Sequence, residues 1–170
     1  PLQNIMIKKI AIALAAVAIA LPAAAQKFGV VDANSIFTAM PETTAANNQL
    51  NEASKKYEDE FKKLQDEFNK QFGEYQQLAA DTPAAIKERR EKELQELDQK
   101  MQQFRQTAQQ DLQKQQQTLL APIETKIHEA IKAVGQEGGY TFIFQQELPV
   151  YVGADVKDIT ADVKAKLGVK

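Results

Sequence analysis

The sequence predicts a mainly α protein with a small β body, in which a long antiparallel coiled-coil hairpin projects from a small β-sheet. Three observations predict it. From about Thr43 to Val134 the chain is charge-rich and places apolar residues at steps of seven, four and three, the spacing of a heptad seam. That pattern breaks once, at Ala79-Ala80-Asp81-Thr82-Pro83, where a short connection can turn one helix back on the other. Runs of β-branched and aromatic residues stand before and after the helical stretch.

Residues 1–25 read as upstream residues plus a cleaved leader. Met6-Ile7-Lys8-Lys9 is basic, Ile10 to Leu21 is an unbroken apolar run, and Pro22-Ala23-Ala24-Ala25 ends in small residues, so cleavage is expected after Ala25. The apolar run is well short of the roughly 20 residues a spanning helix needs. Removing Lys8 and Lys9 from the 21 basic residues leaves 19 against 23 acidic ones, a formal charge of -4. That balance argues against nucleic acid as a partner. With no cysteine, the exported chain has neither disulfides nor a lipidated N-terminal thiol.

Phe28-Gly29-Val30-Val31-Asp32 predicts a short strand with Phe28 and Val30 on one face. Asn34 or Ser35 is expected to cap a short helix through Ile36, Phe37 and Met40, which Pro41 interrupts. The arm then spans 41–134. Its first helix carries the seam Leu50, Tyr57, Phe61, Leu64, Phe68, Tyr75 and Leu78, and acid-first i,i+4 pairs at Glu52/Lys56, Glu58/Lys62, Asp59/Lys63 and Asp66/Lys70. Gly73 is a soft point close to the tip at 79–83. Thr82 as N-cap and Pro83 at the first helical position are expected to start the second helix.

The second helix opens on Lys87-Glu88-Arg89-Arg90-Glu91-Lys92-Glu93, with Glu88 expected to pair with Lys92. Its seam resumes at Leu94, Leu97, Met101, Phe104 and Ala108, within a glutamine-rich stretch from Gln99 to Gln117 that reads as the polar face of the helix. From Leu112 through Leu119, Ile123, Ile127, Ile131 and Val134 the stripe becomes β-branched, as for a helix base buried in a core. Pro122 is expected to kink the helix or mark where arm becomes body.

Residues 26–40 and 135–170 form the rest of the predicted body. Tyr140-Thr141-Phe142-Ile143-Phe144 and Val150-Tyr151-Val152 read as two strands of a hairpin, and Ile159, Val163 and Leu167 as one face of a last short helix capped by Asp158 or Thr160 and stopped at Gly168. Three strands and about 50 residues outside the arm are close to the lower limit for a stable core, so self-association is expected.

The chain resembles the Skp/OmpH family of periplasmic chaperones. The resemblance rests on Phe28-Gly29-Val30-Val31-Asp32 with Ile36-Phe37, the long hairpin, Pro122-Ile123 with Lys126-Ile127 and Ala130-Ile131, Gly139-Tyr140 leading into a strand, and Asp155-Val156-Lys157-Asp158-Ile159-Thr160. It implies a tentacled homotrimer joined through its β bodies, and ATP-independent holding of unfolded outer-membrane β-barrel proteins. Better-known members are strongly basic, whereas this chain has a pI near 5.6. That difference argues against carrying over lipopolysaccharide binding.

The arm residues expected to touch an unfolded chain are Phe61, Phe68, Phe72, Tyr75 and Phe104, with Lys87, Arg89 and Arg90 at the charged tip. Seam packing competes for the aromatics, but Phe72 and Tyr75 cannot both centre one stripe, and the arm opposite them, around Ile86 and Arg90, is poor in cover. The expected trimer body comprises Phe28, Val30, Ile127, Ile131, Tyr140, Phe142, Phe144, Tyr151 and Ile159. One histidine, His128, and no cysteine leave no histidine-based triad, no thiol nucleophile and no usual metal cluster, so neither enzyme activity nor a cofactor is expected. A structural or adaptor hairpin of an envelope assembly is the rival reading, and it calls for flanking β domains or a membrane anchor.

Overall fold

The computed structural model describes residues 26–169; the expected leader and its cleavage point lie outside them. The elements run β1 (Phe28–Val31), α1 (Ala33–Ala39), α2 (Pro41–Gln76), α3 (Ala84–Glu137), β2 (Phe142–Gln145), β3 (Lys157–Asp158) and α4 (Thr160–Leu167). Helices α2 and α3, of 36 and 54 residues, form the hairpin. At about 1.5 Å per residue they reach roughly 55 and 80 Å.

The seam closes where large apolar residues meet across the arms. Leu64, Leu97 and Met101 are buried there, with Phe61, Phe68 and Phe104 packed against them. The helix ends differ in detail from expectation. Pro83 itself is the N-cap of α3, at ψ 139°, and its carbonyl accepts the Ile86 and Lys87 N–H groups. The ring fixes φ but leaves ψ free, so proline sits just outside the helix as easily as at its first position. The Thr82 N–H instead turns back to the Ala79 carbonyl at 3.0 Å. Among the described residues none of the four acid-first pairs expected on α2 closes within 4.0 Å; Lys63 turns to Glu60, and on α3 Lys92 reaches Glu96 rather than Glu88. Exposed ion pairs are weak enough for long side chains to choose any neighbour.

At the base the arm becomes body without a break. Pro122 lies inside α3, which continues to Glu137, and just around it Leu119, Leu120, Ile123 and Ile127 enter the core. There they meet Val31, Ile36, Met40, Ala46, Ala130, Val134, Ile159 and Val163, which are buried together. Helix α1 is capped by Asp32 rather than by Asn34 or Ser35: its carboxylate accepts the Ser35 N–H at 2.8 Å. Pro41 then takes the first position of α2, where its missing N–H costs nothing.

The sheet departs most from expectation. Its order is β2-β1-β3, and both neighbours run parallel to β1, with Phe28 opposite Phe142, Val30 opposite Phe144 and Val30 opposite Asp158. Val150-Tyr151-Val152 is not a strand, and among the described residues no β-hairpin forms. The third strand is Lys157–Asp158. Phe142 to Val152 looks like a hairpin because two β-prone runs lie close together, but the apolar β1 has two edges of backbone groups to satisfy. Residues after β2 and β3 serve it too: Gln146 N–H bonds the Val31 carbonyl and Ile159 N–H the Val30 carbonyl, each at 2.9 Å. Helix α4 begins at Thr160, whose N–H is taken by the Asp158 carboxylate at 2.9 Å, and it ends at Gly168 in the left-handed region, φ 73°.

Candidate functional surfaces

Strand alternation divides the sheet into two faces. Val31 and Ile143 point to the helices and join the core. Phe28, Phe142 and Phe144 point away; the Phe28 and Phe142 rings stack at 6.2 Å, and Phe142 and Phe144 at 6.0 Å. On this side the 146–156 connection adds exposed Leu148, Tyr151 and Val152 around an open apolar hollow of about 440 Å³ floored by Phe28, Val30 and Phe144. The structure thus brings Phe28, Phe142, Phe144 and Tyr151 together on one surface. It places Ile127 and Ile159 elsewhere, inside the core of the single chain, with Ile131 packed against them. Leu148 and Val152 join this surface although the sequence reads Leu148 as part of a connection and Val152 as part of a hairpin strand.

Tyr140 holds the corner between α3 and β2. Its ring lies where side chains at Gly29 and Gly138 would have to go, and the Lys27 ammonium stands 4.2 Å from its centroid while donating to the Gly138 carbonyl at 2.8 Å. Tyr140 is therefore a packing residue of the body.

Along the arm the aromatic residues divide. Phe61 and Phe104 are half-buried: Arg105 covers the Phe61 ring at 5.1 Å, and Tyr57 meets Phe104 edge-on at 6.0 Å. Phe68 packs against the upper seam and stacks on Phe72 at 6.0 Å, and Phe72 itself is 42% exposed. Tyr75 is half-buried and donates to Glu91 across the arms, which raises its pKa through that hydrogen bond. Phe72 is thus the open member of the pair, with Ile86 exposed near the same tip. The tip cations are engaged locally: Lys87 donates to the Ala80 carbonyl at 3.1 Å, and Arg89 and Arg90 both pair with Glu93.

Two further contacts tie the arms lower down. The Tyr57 hydroxyl donates to the Asp111 carboxylate at 2.5 Å; this bond, with a second from Gln115, holds Asp111 below its ordinary pKa and raises that of Tyr57. At the base Lys126 pairs with Glu42 at 2.5 Å, lowering the Glu42 pKa. His128 is exposed beside an open cleft of about 500 Å³ that Glu124 and Glu147 also line. Among the described residues no group of three His, Asp or Glu is placed to hold a metal ion, and no helix is long and apolar enough to cross a membrane.

A slender two-helix arm stands on a three-stranded parallel sheet, with apolar surface left open on both. The chain belongs to the OmpH-like family of outer membrane proteins, whose family model matches residues 27–167. Among solved structures it is similar to an OmpH-like protein of Caulobacter crescentus CB15, described as a candidate outer membrane chaperone. The two superpose with a TM-score of 0.72 at 15% identity over 85% of each chain, a likeness of fold. No curated protein matches the sequence.

Proposed function

We propose that the chain is an ATP-independent periplasmic holdase, exported with cleavage after Ala25, which binds unfolded outer-membrane β-barrel proteins and prevents their aggregation. The observation that carries this reading is the open apolar surface on the arm, where Phe72 stacks on Phe68 and stays exposed. Family membership and a solved relative of the same fold described as a chaperone candidate support it. Unfolded barrel proteins expose alternating apolar side chains and unpaired strand edges, so their hazard is edge-to-edge association. Many weak contacts along several flexible arms counter that hazard without tight binding to any one segment.

The working form is a homotrimer joined through the outer sheet face. Phe142, Phe144, Leu148 and Tyr151 form an exposed apolar patch that a lone soluble chain has reason to cover. No cofactor enters, and no catalytic step is assigned. The acidic composition makes the hold on clients mostly apolar, so binding falls only modestly as salt shortens the Debye length to about 3 Å. The test is light scattering of a urea-unfolded barrel protein diluted into increasing amounts of the purified chain, at low and high salt. Suppression of scattering in both is expected; none at any ratio sinks the reading.

A further inference from the structure

We infer that the lower half of the arm carries a groove for a short extended segment of unfolded polypeptide, gripped through its backbone by side-chain amides; this rests on the holdase reading and gives it a site. Above, Leu64, Leu97 and Met101 fill the seam. Below, small Ala108 and Ser54 leave an open groove of about 830 Å³ between α2 and α3. Its apolar lining comes from Leu50, Tyr57, Phe61, Phe104, Ala108 and Leu112.

The polar lining is rich in amides and carries no net charge. Gln109, Gln113 and Gln116 line it from α3 and Asn51 from α2, with one acid, Glu58, and one base, Arg105, which cancel. Three arm glutamines outside the groove, Gln71, Gln102 and Gln115, each donate to a carboxylate four residues earlier. The three groove glutamines have Arg105, Gln109 and Leu112 at that spacing, and among the described residues their amides form no hydrogen bond. This is what the glutamine-rich stretch supplies here.

An uncharged amide both donates and accepts, so it matches a backbone peptide group whatever side chain follows. A neutral rim over an apolar floor suits a neutral chain with apolar side chains on one side. A helical occupant satisfies its own backbone and leaves the amides idle; an extended one presents backbone donors and acceptors along its length. From Phe104 to Gln116 the groove is about 18 Å long, room for five or six extended residues. That chemistry is the alternating segment of an unfolded β-barrel strand.

The probe is a fluorescent, end-capped peptide of about six residues alternating serine and leucine, its anisotropy followed against the full chain. We expect Gln109→Ala/Gln113→Ala/Gln116→Ala to weaken binding about fivefold or more with helicity intact, and backbone N-methylation of the peptide to do the same. Ala108→Leu should block binding by filling the floor. As the chain has no cysteine, Gln113→Cys and Gln103→Cys each take one reporter dye, and only the dye at 113 should respond to peptide. Unchanged binding by the triple variant and by the methylated peptide overturns the inference, as does an equal response at 103. A dye response at 113 that tracks protein concentration without peptide assigns the groove to a second copy and also overturns it. If the chain suppresses barrel aggregation yet ignores the peptide, the groove falls and the holdase stands; peptide binding at 113 without suppression gives the reverse.

Discussion

One carboxylate oxygen of Asp111 accepts the Tyr57 hydroxyl from the opposite arm and the Gln115 amide from its own, so a single side chain joins α2 to α3 between the upper seam and the body. The bond works only while Asp111 is ionised and Tyr57 is not. Asp111 is held below its ordinary 3.8, chiefly by Tyr57, so its contribution is present above 3.8 and lost as pH falls through the lowered value. Tyr57 is raised above 10.0 by Asp111, so its contribution is present below 10.0 and lost as pH rises through the raised value. Tyr57→Phe should therefore lower the melting temperature at neutral pH, and the gap from the parent should close at both extremes. Circular dichroism melts across acid, neutral and alkaline buffers measure this; equal melting at neutral pH means the rung contributes nothing.

Two glycines should respond in opposite ways to a methyl group. At Gly73, inside α2, nothing lies within 4 Å of an added Cβ, so Gly73→Ala should stabilise by about 0.5–1 kcal/mol. At Gly138 the same atom would stand 2.4 Å from the Tyr140 ring and 3.0 Å from the Val134 carbonyl, and Gly138→Ala should cost about 1–3 kcal/mol. Urea denaturation of both variants checks the signs.

Burial separates core from contact surface. Ile36 is fully buried, and Ile36→Ala should cost about 2–5 kcal/mol. Phe72→Ser, at a 42% exposed site, should change stability by about 0.5 kcal/mol or less yet weaken suppression of barrel aggregation. A variant that suppresses as well as the parent would return Phe72 to simple stacking on Phe68.

The outer sheet face gives an assembly prediction. Phe142→Asp/Phe144→Asp puts charges on an exposed apolar patch and should turn a trimer into monomers or aggregates in sedimentation. Replacing Lys87 to Glu93 by a short turn should leave the mass trimeric. A double variant that stays trimeric places the interface elsewhere.

The long elements were legible because they repeat. Steps of three, four and seven located the arms and their seam at Leu64, Leu97 and Met101, and the β-branched stripe from Ile123 to Val134 marked the buried base. What escaped was non-local. That Lys157–Asp158 pairs with Gly29–Val30 depends on how residues far apart are returned to one another, and nothing within either segment encodes it. The same holds for Val150-Tyr151-Val152, whose β propensity is real but finds no free edge of β1. The Tyr57–Asp111 rung needed the relative height of two helices, which a seam pattern leaves open by a turn. Caps shifted for a smaller reason: Asp32, Asn34 and Ser35 all have capping side chains, and the end of β1 decides which one is placed to use it.

Phe28 and Phe142 are adjacent partners in the sheet although the entire arm separates them in sequence. A flexible connection of that length would impose a closure entropy before the first strand contact formed. The arm removes most of it, because α2 and α3 zip together through neighbouring turns and deliver the two strands side by side at its base. The arm thus shortens the closure that the sheet requires, and the reach of the tip is uncoupled from strand register. Matched turns excised from both helices would shorten the span by about 5.4 Å each while leaving Phe28 opposite Phe142, so reach is free to change between related chains without redesign of the body.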